Sequence, residues 1–166
     1  MHESERSARR AWARALENSA TFVQRAGVTL PVLIETVSEK AGTAPALVSE
    51  RQTLSYSALA ARVQYYARWA LRQKLTNGGV VCLLMRNSPE YFAIWLGITK
   101  VGGTVSLLNT HLVGTSLAHC IRIADPQHII VDSELAEGLS ANETIVVDVV
   151  TDLEPRAPEQ WVPPQS

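Results

Sequence analysis

The chain has 166 residues, 46% hydrophobic and 19% charged, which suggests one domain with room for a tail and excludes a disordered or fibrous protein. Its two cysteines, Cys82 and Cys120, form no CxxC pair, which excludes a disulfide scaffold or a zinc ribbon and fits a reducing cytosol. The net charge of −1 is uneven, with nine acidic residues against Arg156 alone in 125–166, but no basic run interleaves with aromatics, which argues against a nucleic-acid partner.

Residues 7–24 carry Trp12, Leu16, Ala20 and Val23 at spacings of 4, 4 and 3, the stripe of an amphipathic helix. Arg9, Arg10 and Arg14 share the stretch and Arg6 precedes it. Such a helix either docks on its own protein or makes a peripheral contact with an anionic membrane. Docking, with Trp12 shielded, is the expectation. The longest apolar runs, such as 91–98, fall well short of the roughly 20 residues that span a bilayer, and residues 1–6 hold no apolar signal core. A cytoplasmic location is expected, at most peripheral to the inner membrane, and the Asn142-Glu143-Thr144 sequon then means nothing.

A second helix is predicted from Thr29-Leu30-Pro31, since proline is favoured just inside a helix start, with Leu33, Val37 and Ala41 as its face and Gly42 as its stop. Ala46-Leu47-Val48 and Thr53-Leu54-Ser55 read as a small β-hairpin. Residues 56–73 form a strong helix with Leu59, Val63, Tyr66, Ala67 and Ala70 inward and Arg62, Arg68 and Arg72 outward. Asn77-Gly78-Gly79 then breaks the chain.

From residue 80 the pattern alternates between strand and helix. Residues 80–85 are a continuous apolar run, the mark of a strand buried on both faces. Ser88-Pro89-Glu90 starts a helix with Tyr91, Ile94, Trp95, Ile98 and Val101 inward, and Gly102-Gly103 stops it. Residues 104–108 are the next strand. Thr115 or Ser116 caps a helix with Leu117, Cys120, Ile121 and Ala124 inward, ended by Pro126. Ile129-Ile130-Val131 and 144–149 are two more strands. The spacing predicts an α/β fold with a parallel, doubly wound, Rossmann-like βαβ sheet. Three segments follow: an amphipathic helix in 1–28, a subdomain in 29–151, and a proline-rich linker in 152–166, whose last part from 152 holds four of the eight prolines.

No local motif names a chemistry. There is no GxGxxG after a strand, Gly102-Gly103-Thr104 precedes a strand, and Gly114-Thr115-Ser116 lacks the Gly-Lys of a phosphate loop. His2, His111, His119 and His128 form no metal-ligand spacing. His119 and Cys120 are adjacent on a helix and point apart, and Asp125, His128 and Asp132 imitate a catalytic order without a placed serine. No catalytic residue and no metal ligand is assigned. His111 stands out by place, just past the carboxyl end of a predicted strand, where open α/β sheets bind ligands.

Residues 30 to about 132 resemble the N-terminal part of the adenylate-forming (AMP-dependent) superfamily of acyl-CoA synthetases, luciferases and adenylation domains. Pro45-Ala46-Leu47-Val48 with Thr53-Leu54-Ser55-Tyr56-Ser57-Ala58-Leu59 is similar to the family's "PALV…LTYxEL". The run Val80-Val81-Cys82-Leu83-Leu84-Met85-Arg86-Asn87-Ser88-Pro89-Glu90-Tyr91 resembles "VALLMxNxPEY". Trp95-Leu96-Gly97-Ile98 through Lys100-Val101-Gly102-Gly103 resembles "WLGxxKxGA". Leu107-Leu108-Asn109-Thr110-His111-Leu112-Val113-Gly114 with Leu117-Ala118-His119-Cys120-Ile121 is similar to "LINTNLRGxxLxHCI" of the fatty-acid-transport-protein, or very-long-chain acyl-CoA synthetase, branch. Ala58 replaces a usual Glu, Gly79 a usual Asp, Arg86 a frequent Pro and His111 a frequent Asn. The phosphate loop, adenine and ribose motifs, hinge and C-terminal catalytic Lys of the family are absent from these residues.

The resemblance implies the N-terminal fragment of a long-chain or very-long-chain fatty-acid–CoA ligase, inactive alone. The whole enzyme would use ATP, Mg²⁺ and CoA on a fatty acid, and none of these is expected on this chain by itself. It further implies that Asn109, Thr110 and His111 lie where the nucleotide part of CoA passes. The alternative is a stand-alone α/β binding or interaction module without chemistry. For Asn109 a purely local role, pinning its own loop through a backbone hydrogen bond, stands beside the ligand role.

Overall fold

A computed structural model describes residues 2–23, 27–49, 52–139 and 146–150. The 152–166 linker expectation lies outside the described residues. Val80–Leu84 (β3) is the seed of the molecule: it pairs in parallel with Thr104–Leu107 (β4) on one side and with His128–Asp132 (β5) on the other. Val146–Val150 (β6) adds to β5, giving the order β4-β3-β5-β6 with all strands parallel. The doubly wound expectation therefore holds. β3 continues to β4 through helix α4 (Pro89–Lys100) and β4 continues to β5 through α5 (Gly114–Ala124).

Alternation along β3 divides the core between two faces. Val81, Leu83 and Met85 join Ile94 and Ile98 of α4 on one face. Cys82 and Leu84 join Leu117 and Ile121 of α5 on the other, with Ile129 and Val131 of β5. Helix α3 (Tyr56–Arg72) packs outside α4, and α2 (Leu30–Ala41) packs outside both around Ile34, Leu59, Val63, Ala93 and Leu96. Enclosed by sheet and helices, α4 is apolar on several faces rather than along one stripe. The hairpin β1 (Pro45–Val48) and β2 (Thr53–Ser55) is antiparallel, with Leu47 opposite Leu54. Ser55 ends the hairpin and caps α3 by accepting from the Ala58 amide at 3.2 Å.

Several expectations need correction. Arg62 does not face out: its guanidinium lies 2.5 Å from the carboxylate of Glu90, which is itself buried. The buried face of α2 centres on Pro31 and Ile34, and Ala41 is exposed. Neither Thr115 nor Ser116 caps α5, which starts at Gly114 behind Val113 and has no side-chain cap. A six-residue 3-10 turn, Ser133–Gly138, follows β5 unannounced. The N-terminal helix α1 spans His2–Val23, but Trp12 is 69% and Leu16 51% exposed, so the docking expectation fails for that stripe.

Candidate functional site

Parallel strands place their carboxyl ends along one edge of the sheet, and a crevice opens there because the chain leaves β3 into α4 on one face and leaves β4 into α5 on the other. At that edge a groove of about 430 Å³ is lined by Met85, Arg86 and Asn87 after β3, Tyr91 on α4, and Leu108, Asn109, Thr110 and His111 after β4. The three predicted site residues are thus together in one opening, with four neighbours from the β3 side that sequence spacing did not join to them.

Each wall has a physical reason for its shape. Met85 and Leu108 are buried and anchor the two strand ends. Asn87 leads to Ser88, whose hydroxyl accepts from the Tyr91 amide at 3.1 Å and starts α4. Across the groove, Asn109 Oδ1 accepts from the His111 amide at 3.0 Å, an Asx turn that fixes the loop. That contact is the local role foreseen for Asn109. The His111 side chain is exposed and Thr110 is half-buried.

The charges are few. Arg86 forms an ion pair with Glu134 of the 3-10 turn, bridging the ends of β3 and β5. Burial pushes the Tyr91 phenol above its ordinary pKa, so it stays a neutral donor. A guanidinium, a hydroxyl and an imidazole around one opening suit a phosphate or a nucleotide edge. They do not suit a metal cage: among the described residues no three His, Cys, Asp or Glu side chains converge.

The remaining candidates are dispersed. His128 opens β5 with its ring edge-on to Trp69, while Asp132 closes the same strand about 13 Å away, so no triad forms. Cys82 is fully buried, and burial raises its thiol pKa, opposed in part by a hydrogen bond with Ser106. It is a packing residue rather than a nucleophile. Among the described residues no helix is long and apolar enough to cross a membrane.

Comparison with known proteins gives a consistent picture. The profile of the family described as AMP-binding enzyme matches residues 34–165. The mouse long-chain fatty acid transport protein 6 is 41% identical over 61 residues, 37% of this chain and 10% of that protein. The very long-chain fatty acid transport protein of Cochliobolus heterostrophus is 29% identical over 102 residues, covering 61% of this chain and 16% of its own length. The chain therefore spans only a small part of these relatives. The N-terminal domain of FACL13 from Mycobacterium tuberculosis superposes with a TM-score of 0.66 at 16% identity, over 75% of this chain and 34% of that one. The N-terminal subdomain of Klebsiella oxytoca NpsA, solved with anthranilyl-AMSN, superposes with a TM-score of 0.62 at 18% identity, over 71% of this chain and 30% of that one. At these identities the two structures establish a shared fold.

Proposed function

Since the chain belongs to the AMP-binding enzyme family, we propose that it is the N-terminal scaffold of a long-chain or very-long-chain fatty-acid–CoA ligase. The observation that carries this reading is the 41% identity over 61 residues with a long-chain fatty acid transport protein. In the proposed reaction a fatty acid and ATP give an acyl-adenylate and pyrophosphate, and the thiol of CoA then displaces AMP. Residues 29–151 supply one wall of the substrate channels on a rigid parallel sheet. Asn109, Thr110 and His111 face the nucleotide part of CoA. Mg²⁺ would be held by residues outside this segment, which offers it no cage among its described residues.

The test is pyrophosphate release by the protein encoded in the complete natural reading frame. Turnover that requires ATP, CoA and a fatty acid together is expected, and its absence from folded protein overturns the reading. The 166 residues alone are expected to release none. They carry no Gly-Lys phosphate loop to hold the departing pyrophosphate and neutralise its charge. Turnover by them overturns the fragment reading.

The exposed stripe of α1 supports a membrane contact within the same proposal. Trp12 and Leu16 stand out from the fold, and Arg9, Arg10 and Arg14 on the same helix complement anionic headgroups. The helix lies on a bilayer surface and brings the scaffold to the place where free fatty acid partitions.

A further inference from the structure

We propose that Arg86 is the anion-binding residue of the groove, and that Glu134 is its internal competitor. The groove takes a phosphomonoester borne on a nucleotide, and Arg86 exchanges Glu134 for that phosphate. The proposal rests on the ligase reading only for the identity of the nucleotide as CoA.

Arg86 lines the groove, whereas Glu134 does not. The pair thus joins a groove residue to a carboxylate standing outside it, on the 3-10 turn after β5. Both side chains are largely exposed, at 62% and 65%, and an ion pair so exposed is weak and readily exchanged. The two backbones are nevertheless well placed. Arg86 follows the buried Met85 at the end of the central strand, and the Glu134 amide donates to Asp132 Oδ1 at 3.3 Å.

A guanidinium presents five donors in a planar fork, so one edge can hold a phosphate as the other leaves a carboxylate. A phosphomonoester is close to a dianion at neutral pH and outcompetes a single carboxylate for the same cation. On the opposite wall Thr110 and His111 add hydrogen-bonding side chains, while Asn109 Oδ1 is occupied by its own loop. The arrangement amounts to a site whose affinity is held down by a built-in carboxylate.

The experiment titrates the isotope-labelled 166-residue chain with adenosine 3′,5′-bisphosphate, inorganic phosphate and pantetheine, and follows amide shifts. Arg86→Ala is expected to weaken the bisphosphate about tenfold or more, the loss of one charge-assisted contact. Glu134→Gln releases Arg86 and is expected to tighten it about threefold, with both effects fading in salt. A gain of affinity cannot come from a misfolded chain, so the second variant protects the first. Unchanged affinity in either variant overturns the proposal, as does pantetheine binding as well as the bisphosphate. Inorganic phosphate binding as tightly as the bisphosphate overturns the nucleotide assignment. Arg86-dependent binding in a protein without ligase turnover removes CoA and leaves the anion site standing. An active ligase whose chain binds no phosphate through Arg86 does the reverse.

Discussion

Arg62 Nη1 lies 2.5 Å from Glu90 Oε2, and this contact ties the middle of α3 to the first turn of α4. Tyr66 completes it by donating its hydroxyl to Glu90 Oε1 at 2.5 Å. A carboxylate that is 7% exposed requires such partners, because an unpaired charge in the interior is far more costly than a paired one. The expected cost of Arg62→Ala is therefore about 3 kcal/mol or more, since it strands the Glu90 charge. Urea unfolding measures it. Arg62→Ala with Glu90→Ala is expected to cost less than the two single changes added together.

The same triad gives the fold an alkaline limit. Burial, then the Glu90 charge and hydrogen bond, raise the Tyr66 phenol well above its ordinary value of 10.0. Above that value the unfolded chain releases a proton that the folded chain retains. Stability from Tyr66 is thus complete below pH 10 and declines as the pH climbs toward the folded value. Tyr66→Phe is expected to lose about 1 kcal/mol at neutral pH and to flatten the decline above pH 10. An equal alkaline slope in both proteins would assign the decline to other groups.

Close packing of α3 on α4 depends on Gly97. A Cβ there would meet Tyr66 Cβ at 2.5 Å and the Val63 carbonyl oxygen at 2.8 Å. The second of these is backbone and cannot swing aside. Gly97→Ala is expected to destabilise by about 1–3 kcal/mol, the usual cost of overpacking. A shift of the urea midpoint at unchanged slope is the confirming result.

At the β4 loop, Asn109 holds its Asx turn, and the ligand-facing role is the one proposed for His111. Asn109→Ala removes the Asx bond and is expected to cost about 0.5–1.5 kcal/mol. His111→Ala in the complete natural protein is expected to raise KM for CoA while acyl-adenylate formation is unchanged. Equal loss in both half-reactions would make His111 structural too.

Binding to anionic liposomes should follow the exposed stripe of α1. Co-sedimentation is expected at low salt, weakening as salt rises, and lost in Trp12→Ala or when residues 2–23 are removed. Undiminished binding by the truncated chain would place the contact elsewhere.

The strands and most helix limits are written locally, and so were readable. Residues 80–85 announce a strand buried on both faces, and Ser88 announces the start of α4. Arg62 was misplaced because its burial depends on Glu90, far along the chain, and no helical period reveals that partner. The turn Ser133–Gly138 is too short to show a period. The carboxyl-edge rule located the Asn109–His111 side of the groove. Its other wall comes from β3 and α4, and only the pairing of β3 with β4 brings Arg86 and Tyr91 opposite that loop.

The central position of β3 also sets an order of assembly. β4 and β5 follow each other in sequence but never touch, since each pairs with a different side of β3. A chain leaving the ribosome can close β3, α4 and β4 as a unit, whereas the other side of β3 must wait for α5 and β5 to emerge. A nascent chain that has emerged only as far as Val113 therefore holds half a sheet, with Cys82 and Leu84 uncovered and one rank of strand hydrogen bonds open. That interval is when the nascent chain most needs a chaperone.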